Sequence, residues 1–301
     1  MKIKWRSVRL TVIMAALVSC LEARAQIVGY VNIYFTNGYS FVANPLYNYD
    51  TNFIAKNNLT NLIPSAPDGT SVYLWDVPSQ AFSDPATFMN SNPGWSRSFD
   101  LPVGRGFVVY SPTTWTNTFV GAVVQASTNF IPGNNKWSLL ACKVPLAGKL
   151  SAELRFPHID GVTVHLFRGN AQSYTDAFTD FSGYGWLDPR GIEDIPGPNI
   201  RVSESFFVQN PGSDTNWVFI SNFLLGANAS SISGSEPELQ SISIENEKLS
   251  LRVRNSKGGE YDVQFSRDGL SWTTVASRQR TTKWTTSKPG TDHGYYRLVR
   301  P

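Results

Sequence analysis

The sequence predicts an all-β protein: two tandem β-sandwich or barrel-like repeats followed by a small β-sandwich module. Three observations carry that expectation. Aromatic residues make up 13% of the 301 residues and charged ones only 16%, and short apolar runs are punctuated by Gly, Pro, Ser, Thr and Asn with no long helical period. The run LPVGRGFVVYSP over 101–112 returns as IRVSESFFVQNP over 200–211, each an apolar stretch entered through a small-residue turn and closed by proline. Beyond residue 238 the composition changes, and strands of alternating polarity are separated by Asn/Gly and Asp/Gly turns.

Residues 1–25 read as an export signal. Lys2, Lys4, Arg6 and Arg9 precede the apolar run LTVIMAALVSCL over 10–21, and Ala23-Arg24-Ala25 supplies the small residues of a cleavage site before Gln26. That run is shorter than the roughly 20 residues a spanning helix needs, so no transmembrane anchor is expected. A second reading takes Leu17-Val18-Ser19-Cys20 as a lipobox, which would make the protein an outer-membrane lipoprotein held through Cys20. Both readings place the chain outside the cytoplasm, secreted or in the periplasm and cell envelope. Once the signal is removed Cys142 is the only cysteine, so no intrachain disulfide is expected, and its apolar neighbours in WSLLACKVPL suit a buried thiol.

The first repeat spans 26–125 and the second 126–225, and they match piece by piece. Tyr39-Ser40-Phe41-Val42-Ala43 answers to Trp137-Ser138-Leu139-Leu140-Ala141. Asp68-Gly69 ahead of Val72-Tyr73-Leu74-Trp75 answers to Asp160-Gly161 ahead of Val164-His165-Leu166-Phe167, and Gly94-Trp95 to Gly185-Trp186. Phe107-Val108-Val109 with Pro112 answers to Phe206-Phe207-Val208 with Pro211, and Phe119-Val120 to Phe219-Ile220. The offsets stay between about 91 and 100 residues, so length differences fall in loops while strands keep register. Two copies pairing so regularly are expected to pack together with approximate two-fold symmetry. Residues 57–67 read as a polar, turn-rich connection.

On these residues the chain resembles a secreted module of Verrucomicrobia- and Planctomycetes-type bacteria. The stretches that carry the resemblance are Gly38-Tyr39-Ser40-Phe41-Val42-Ala43-Asn44-Pro45-Leu46, Val72-Tyr73-Leu74-Trp75, Gly94-Trp95 and Pro102-Val103-Gly104-Arg105-Gly106-Phe107. The resemblance covers 26 to about 223 and implies a duplicated β unit without implying an activity. The second copy departs from it where Ser203-Glu204-Ser205 replaces Gly104-Arg105-Gly106, so its turn need not share the backbone dihedrals of the first.

Residues 226–238 form a Ser/Gly linker, and 239–301 a small module expected to fold on its own. Its pattern YDVQFSRDGLSW followed by YYRLV resembles the fibronectin-III-like modules that end many secreted bacterial proteins. The formal charge of +3 divides unevenly. Residues 26–239 hold 10 basic and 16 acidic side chains, and 240–301 hold 11 and 6. Without the signal the chain is close to neutral, so nucleic acid is not an expected partner.

Little here points to catalysis. The only histidines are His158, His165 and His293, too few and too scattered for an imidazole metal site, and no nucleophile-elbow, zinc-protease, phosphate-loop or calcium-loop pattern occurs. No catalytic residue, metal ligand or cofactor is expected. Asp188, Glu193 and Asp194 cluster in WLDPRGIEDIPGP, the one carboxylate group that could serve glycosidase chemistry, but the first repeat has no counterpart and a Pro/Gly-rich acidic loop is ordinarily solvated. Aromatic side chains are more informative. In TSVYLWD, Val72 and Leu74 point one way and Tyr73 and Trp75 the other, which suits a strand buried between two layers. The alternative is a set of rings that stack on sugars, with Tyr73, Trp75, Trp95 and Trp186 as the candidate ligand-binding residues. The leading expectation is a non-enzymatic scaffold or adhesion protein of the cell envelope or extracellular space. Carbohydrate binding is second and an exported glycoside hydrolase third, with glycans or other cell-surface proteins as partners.

Overall fold

The computed structural model describes residues 27–49, 54–91, 94–193, 196–220, 238–255, 258–299 and 301. The export signal with Cys20, and all of the expected linker but Glu238, lie outside them. The described chain is all-β, with antiparallel sheets and a single helical turn.

The first unit runs β1 (Val28–Phe35), β2 (Gly38–Ala43), α1 (Leu59–Leu62), β3 (Ser71–Asp76), β4 (Ala81–Phe82), β5 (Ala86–Met89), β6 (Gly94–Trp95), β7 (Gly106–Ser111) and β8 (Trp115–Ala122). The turn of helix falls in the segment read as polar connection: Asn58 caps it by accepting from Asn61 N, and Leu59 and Leu62 are buried beneath it. Strand β7 is shorter than the apolar run that announced it. Leu101 and Val103 are buried, but the chain turns at Gly104, φ 81°, and becomes strand only at Gly106.

The second unit runs β9 (Ala126–Ile131), β10 (Lys136–Leu140), β11 (Gly148–Lys149), β12 (Thr163–Arg168), β13 (Ser173–Tyr174), β14 (Phe178–Phe181), β15 (Gly185–Leu187), β16 (Asn199–Ile200), β17 (Phe206–Asn210) and β18 (Thr215–Ile220). Its main sheet has the order β10-β17-β12-β14-β15 with β13 paired to β12. That of the first unit is β2-β7-β3-β5-β6 with β4 paired to β3. The two are the same strand for strand. Each unit adds a second layer, β1–β8 in one and β9–β18 in the other. The period-two pattern explains the layering. Val72, Leu74, Phe107 and Val109 face a buried cluster with Val31, Ile33, Phe35 and Phe119, and Val164, Leu166, Phe206 and Val208 join Trp217 and Phe219 in the same cluster. Asp68 and Asp160 fix equivalent turns, accepting from Asn90 N at 2.6 Å and Ser182 N at 2.8 Å.

The last module runs β19 (Glu238–Glu245), β20 (Lys248–Arg254), β21 (Tyr261–Ser266), β22 (Thr273–Gln279), β23 (Lys283–Ser287) and β24 (His293–Val299). One of its sheets is β19-β20-β23; the other continues out of the module as β22-β21-β24-β1-β8. The module is therefore joined to the first unit through a continuous sheet. Its six strands leave the edge of β24 open, and β1 fills it in the register Val28↔Tyr296 to Val31↔His293. Val28 and Tyr30 are buried in the module's own core with Leu251, Tyr261, Val263 and Tyr296. The Tyr30 hydroxyl bonds to Thr291 Oγ1 at 2.7 Å and donates to the Pro289 carbonyl at 3.2 Å. The approach is so close that a Cβ on Gly29 would lie 2.6 Å from the Tyr295 ring. Tyr295 also donates to Pro145 O at 2.6 Å, tying the module to the second unit.

Candidate functional site

The two main sheets meet on the faces that carry the other set of alternating residues. Phe41 and Val108 from the first unit are buried with Leu139, Phe167 and Phe207 from the second, and Tyr73, Trp75 and Trp137 pack around them. Phe41 stacks on Phe167 with centroids 4.4 Å apart, and Trp75 meets Phe207 edge-on at 4.9 Å. This seam gathers most of the ring contacts between the units, and it is built by exchange of equivalent parts.

Three reciprocal contacts show the exchange. Val42 bridges to Glu204 while its counterpart Leu140 bridges to Arg105, the counterpart of Glu204. Ala43 N donates to Ser203 O at 2.9 Å while Ala141 N donates to Gly104 O at 3.2 Å. Gln80 Oε1 accepts from Trp137 N at 2.8 Å and its Nε2 donates to Trp137 O at 3.1 Å. Gln172 does the same to Tyr39, at 2.7 and 3.1 Å. Both glutamines are left-handed, φ 51° and 50°, a conformation that costs a residue other than glycine about 1 kcal/mol or more and is retained where contacts demand it. The turn Ser203-Glu204-Ser205, free by sequence to differ from Gly104-Arg105-Gly106, starts with a similar backbone. Ser203 has φ 63° beside 81° for Gly104, because its carbonyl is held by the neighbouring unit just as that of Gly104 is.

The four candidate ligand-binding residues are not brought together. Trp186 is fully buried, its indole N–H donating to Ser151 Oγ at 2.8 Å, so its ring is core and offers no face to a ligand. Trp95 is half-buried against the same core and donates to Ile63 O at 2.7 Å. Trp75 lies in the seam and donates across it to Trp137 O at 2.9 Å. Tyr73, half-buried, remains near a solvent-facing group of rings, where burial and then the neighbouring Tyr39 push its hydroxyl pKa up. The exposed rings around it are Tyr39 and Tyr110, 5.2 Å apart, and Phe82.

Asp188, Asp180 and Glu204 are engaged in structure. Asp188 accepts from Arg190 Nε at 2.9 Å and from Ile192 N at 3.0 Å, and the arginine holds its carboxyl below the usual range. Asp194 lies outside the described residues. His158 Nδ1 sits 3.1 Å from both oxygens of the buried Asp180, which also accepts from Ile159 N. Glu204, buried in the seam, is held by Arg201, with its Oε1 3.2 Å from the guanidinium. Burial pushes the Cys142 thiol up to about 12, which leaves it protonated and unreactive at neutral pH. Among the described residues no three His, Cys, Asp or Glu side chains are placed to hold a metal ion, and no helix is long and apolar enough to cross a membrane.

Sequence reasoning missed Gln80 and Gln172. The signal was available: both glutamines immediately precede two residues ending in an aromatic, Ala81-Phe82 and Ser173-Tyr174, at a spacing the repeats share.

No family model matches the chain, and no curated protein does. Among solved structures it is similar to a β-1,2-glucanase from Parabacteroides distasonis, at 12% identity and a TM-score of 0.19, over 58% of this chain and 34% of that one. The chain thus spans about a third of that protein, and a likeness this slight carries no argument about fold or activity.

Proposed function

We propose that this chain is an exported, non-enzymatic scaffold or adhesion protein of the cell envelope, made of two copies of one duplicated β unit and a fibronectin-III-like module. The observation that carries the reading is the shared strand β1, paired to β8 along its length and to β24 at its start. It joins the two ends of the described chain in one sheet, and the reciprocal clamps of Gln80 and Gln172 join the units to each other. A body closed in this way suits a load-bearing or spacing role. Of the rings that suggested chemistry, Trp75 bonds across the seam and Trp186 is core, while Asp188 is held within its own loop.

Export is tested by the intact mass of the protein recovered from the envelope or medium. A chain starting at Gln26 supports it, and one starting at an acylated Cys20 would make it a lipoprotein. The scaffold reading is tested by incubating the mature protein with soluble neutral polysaccharides and assaying reducing ends. No release above buffer is expected. Steady release that is lost on replacing Asp188 or Glu193 by alanine would overturn it in favour of a glycoside hydrolase.

A further inference from the structure

Across the first unit's sheet, one level up the strands from Phe41, Val108 and Tyr73, the register places Tyr39 beside Tyr110, Tyr110 beside Ser71, and Ser71 beside Thr87. The row ends at Ser96, whose hydroxyl accepts from Thr87 N at 3.0 Å. We propose that this row, with Tyr73 behind it, binds a neutral glycan.

The geometry fits that ligand class in three respects. Tyr39 and Tyr110 are 43% and 36% exposed and stand side by side on paired strands, so their rings offer apolar faces to a pyranose while their hydroxyls remain free to bond its rim. Beyond the rings, Ser71 is buried and bonded to Thr87 at 3.0 Å, while half-buried Thr87 and exposed Ser96 bring hydroxyls to the far end of the row. None of the six side chains is charged at neutral pH, which suits a neutral sugar and gives an anionic one no counter-charge. At about 4.8 Å per strand the row spans roughly 19 Å, with the two exposed rings at one end, the buried Ser71 between, and Ser96 at the other, so the paired rings are the part that would seat a sugar.

The platform is also pre-set. Tyr39 sits on the edge strand β2, where its backbone N–H and carbonyl are both gripped by Gln172 of the other unit. Such fixing lowers the ordering cost of binding. The equivalent row of the second unit is Trp137, Gln209, Thr163, Thr179 and Leu187. It keeps one aromatic ring where the first has two and ends in an apolar side chain, so the first unit alone has the paired rings.

This inference goes beyond the scaffold reading and stands or falls separately, since its readout is binding and not turnover. The test is titration calorimetry of the mature full chain with cello-, laminari-, xylo- and mannohexaose, and a heparin hexasaccharide as the charged control. Binding of at least one neutral hexasaccharide is expected, weakened about tenfold or more by Tyr39→Ala and by Tyr110→Ala, the scale of a central aromatic contact. Tyr34→Ala, an exposed ring on another sheet, should leave it unchanged. If the alanine variants do not fold, nitration of the native chain by tetranitromethane decides: the bound sugar should protect Tyr39 and Tyr110 and leave Tyr34 and Tyr184 reactive. Failure of every neutral sugar to bind at millimolar concentration, binding of heparin alone, binding that survives both alanine variants, or absence of protection would overturn the proposal.

Discussion

The outer layers of the two units are made of the same pair of strands and meet opposite surroundings. In the first, β1 and β8 lie under the C-terminal module: Val28 and Tyr30 are buried in its core and Val120 packs against it. In the second, β9 and β18 have no further strand partner among the described residues, and the residues facing away from the core, Phe130, Val218 and Ile220, are each more than half exposed. Inward, the two layers agree. Asn117 and Trp217 occupy equivalent places and each donates a side-chain N–H to the carbonyl of an equivalent leucine, Leu62 at 3.0 Å and Leu154 at 2.8 Å. The comparison teaches that the interior of a repeat preserves jobs even when residues change, whereas its exterior follows whatever is docked there.

The largest effect should come from removing what only the first unit has. Deleting residues 27–31 from the mature chain leaves the edge of β24 unpaired and strips Val28 and Tyr30 from the module's core. In limited proteolysis the C-terminal module should become the first part digested, while the second unit stays protected. In the intact chain a cut between 226 and 237 should leave the two fragments associated on a sizing column. Fragments that separate, each still folded, would break the comparison by showing that β1 is dispensable to the module.

Next come the two phenylalanines at equivalent core positions, Phe107 and Phe206, both fully buried. Replacement of either by alanine should cost about 3–5 kcal/mol in denaturant unfolding, the usual range for a core phenylalanine and much of the stability of a typical domain. Equal losses would sharpen the match between the units. A loss below about 1 kcal/mol at one site, typical of surface positions, would show that the interiors have diverged.

How much of this was legible in the sequence depends on which groups make each contact. The strands were legible where side chains alternate, as in TSVYLWD, whose two apolar faces serve the core and the seam. Asp68-Gly69 and Asp160-Gly161 announced their turns through residue types that favour them. The pairing of β1 with β24 was not legible. It joins residues more than 260 positions apart through backbone groups that every residue carries, so no side-chain pattern marks it. Trp95 and Trp186 read alike in sequence, and what separates them is packing: Gly197, left-handed and lacking a side chain, lies against the Trp186 ring and lets the chain close over it. The rings at Tyr39 and Tyr110 were passed over because each looked like an ordinary strand residue until the register set them side by side.

The glutamine clamps give a smaller effect. Each makes two hydrogen bonds across the seam to backbone groups, so Gln80→Ala and Gln172→Ala should each cost about 1–3 kcal/mol at a typical 0.5–1.5 kcal/mol per bond. The corresponding glycine variants should lose less, because glycine takes the left-handed conformation without strain. Matching losses measured by thermal melts would confirm the exchange symmetry. A loss at Gln80 alone would locate the strength of the seam in the Trp137 side, where Trp75 adds a third bond.

The smallest expected effect isolates the outer layers themselves. Val120 and Ile220 are counterparts, one half-buried against the C-terminal module and the other 56% exposed. Trimming Val120 to alanine removes methyl groups from a packed contact and should cost about 1 kcal/mol, at roughly 0.8 kcal/mol per buried methylene. Trimming Ile220 deletes more carbon atoms, yet it should change stability by no more than about 0.5 kcal/mol, as at other surface positions. Denaturant midpoints of the two variants, taken under one buffer, measure the difference directly. A larger loss at Ile220 than at Val120 would mean that something covers β18 in solution, and that the two outer layers are alike after all.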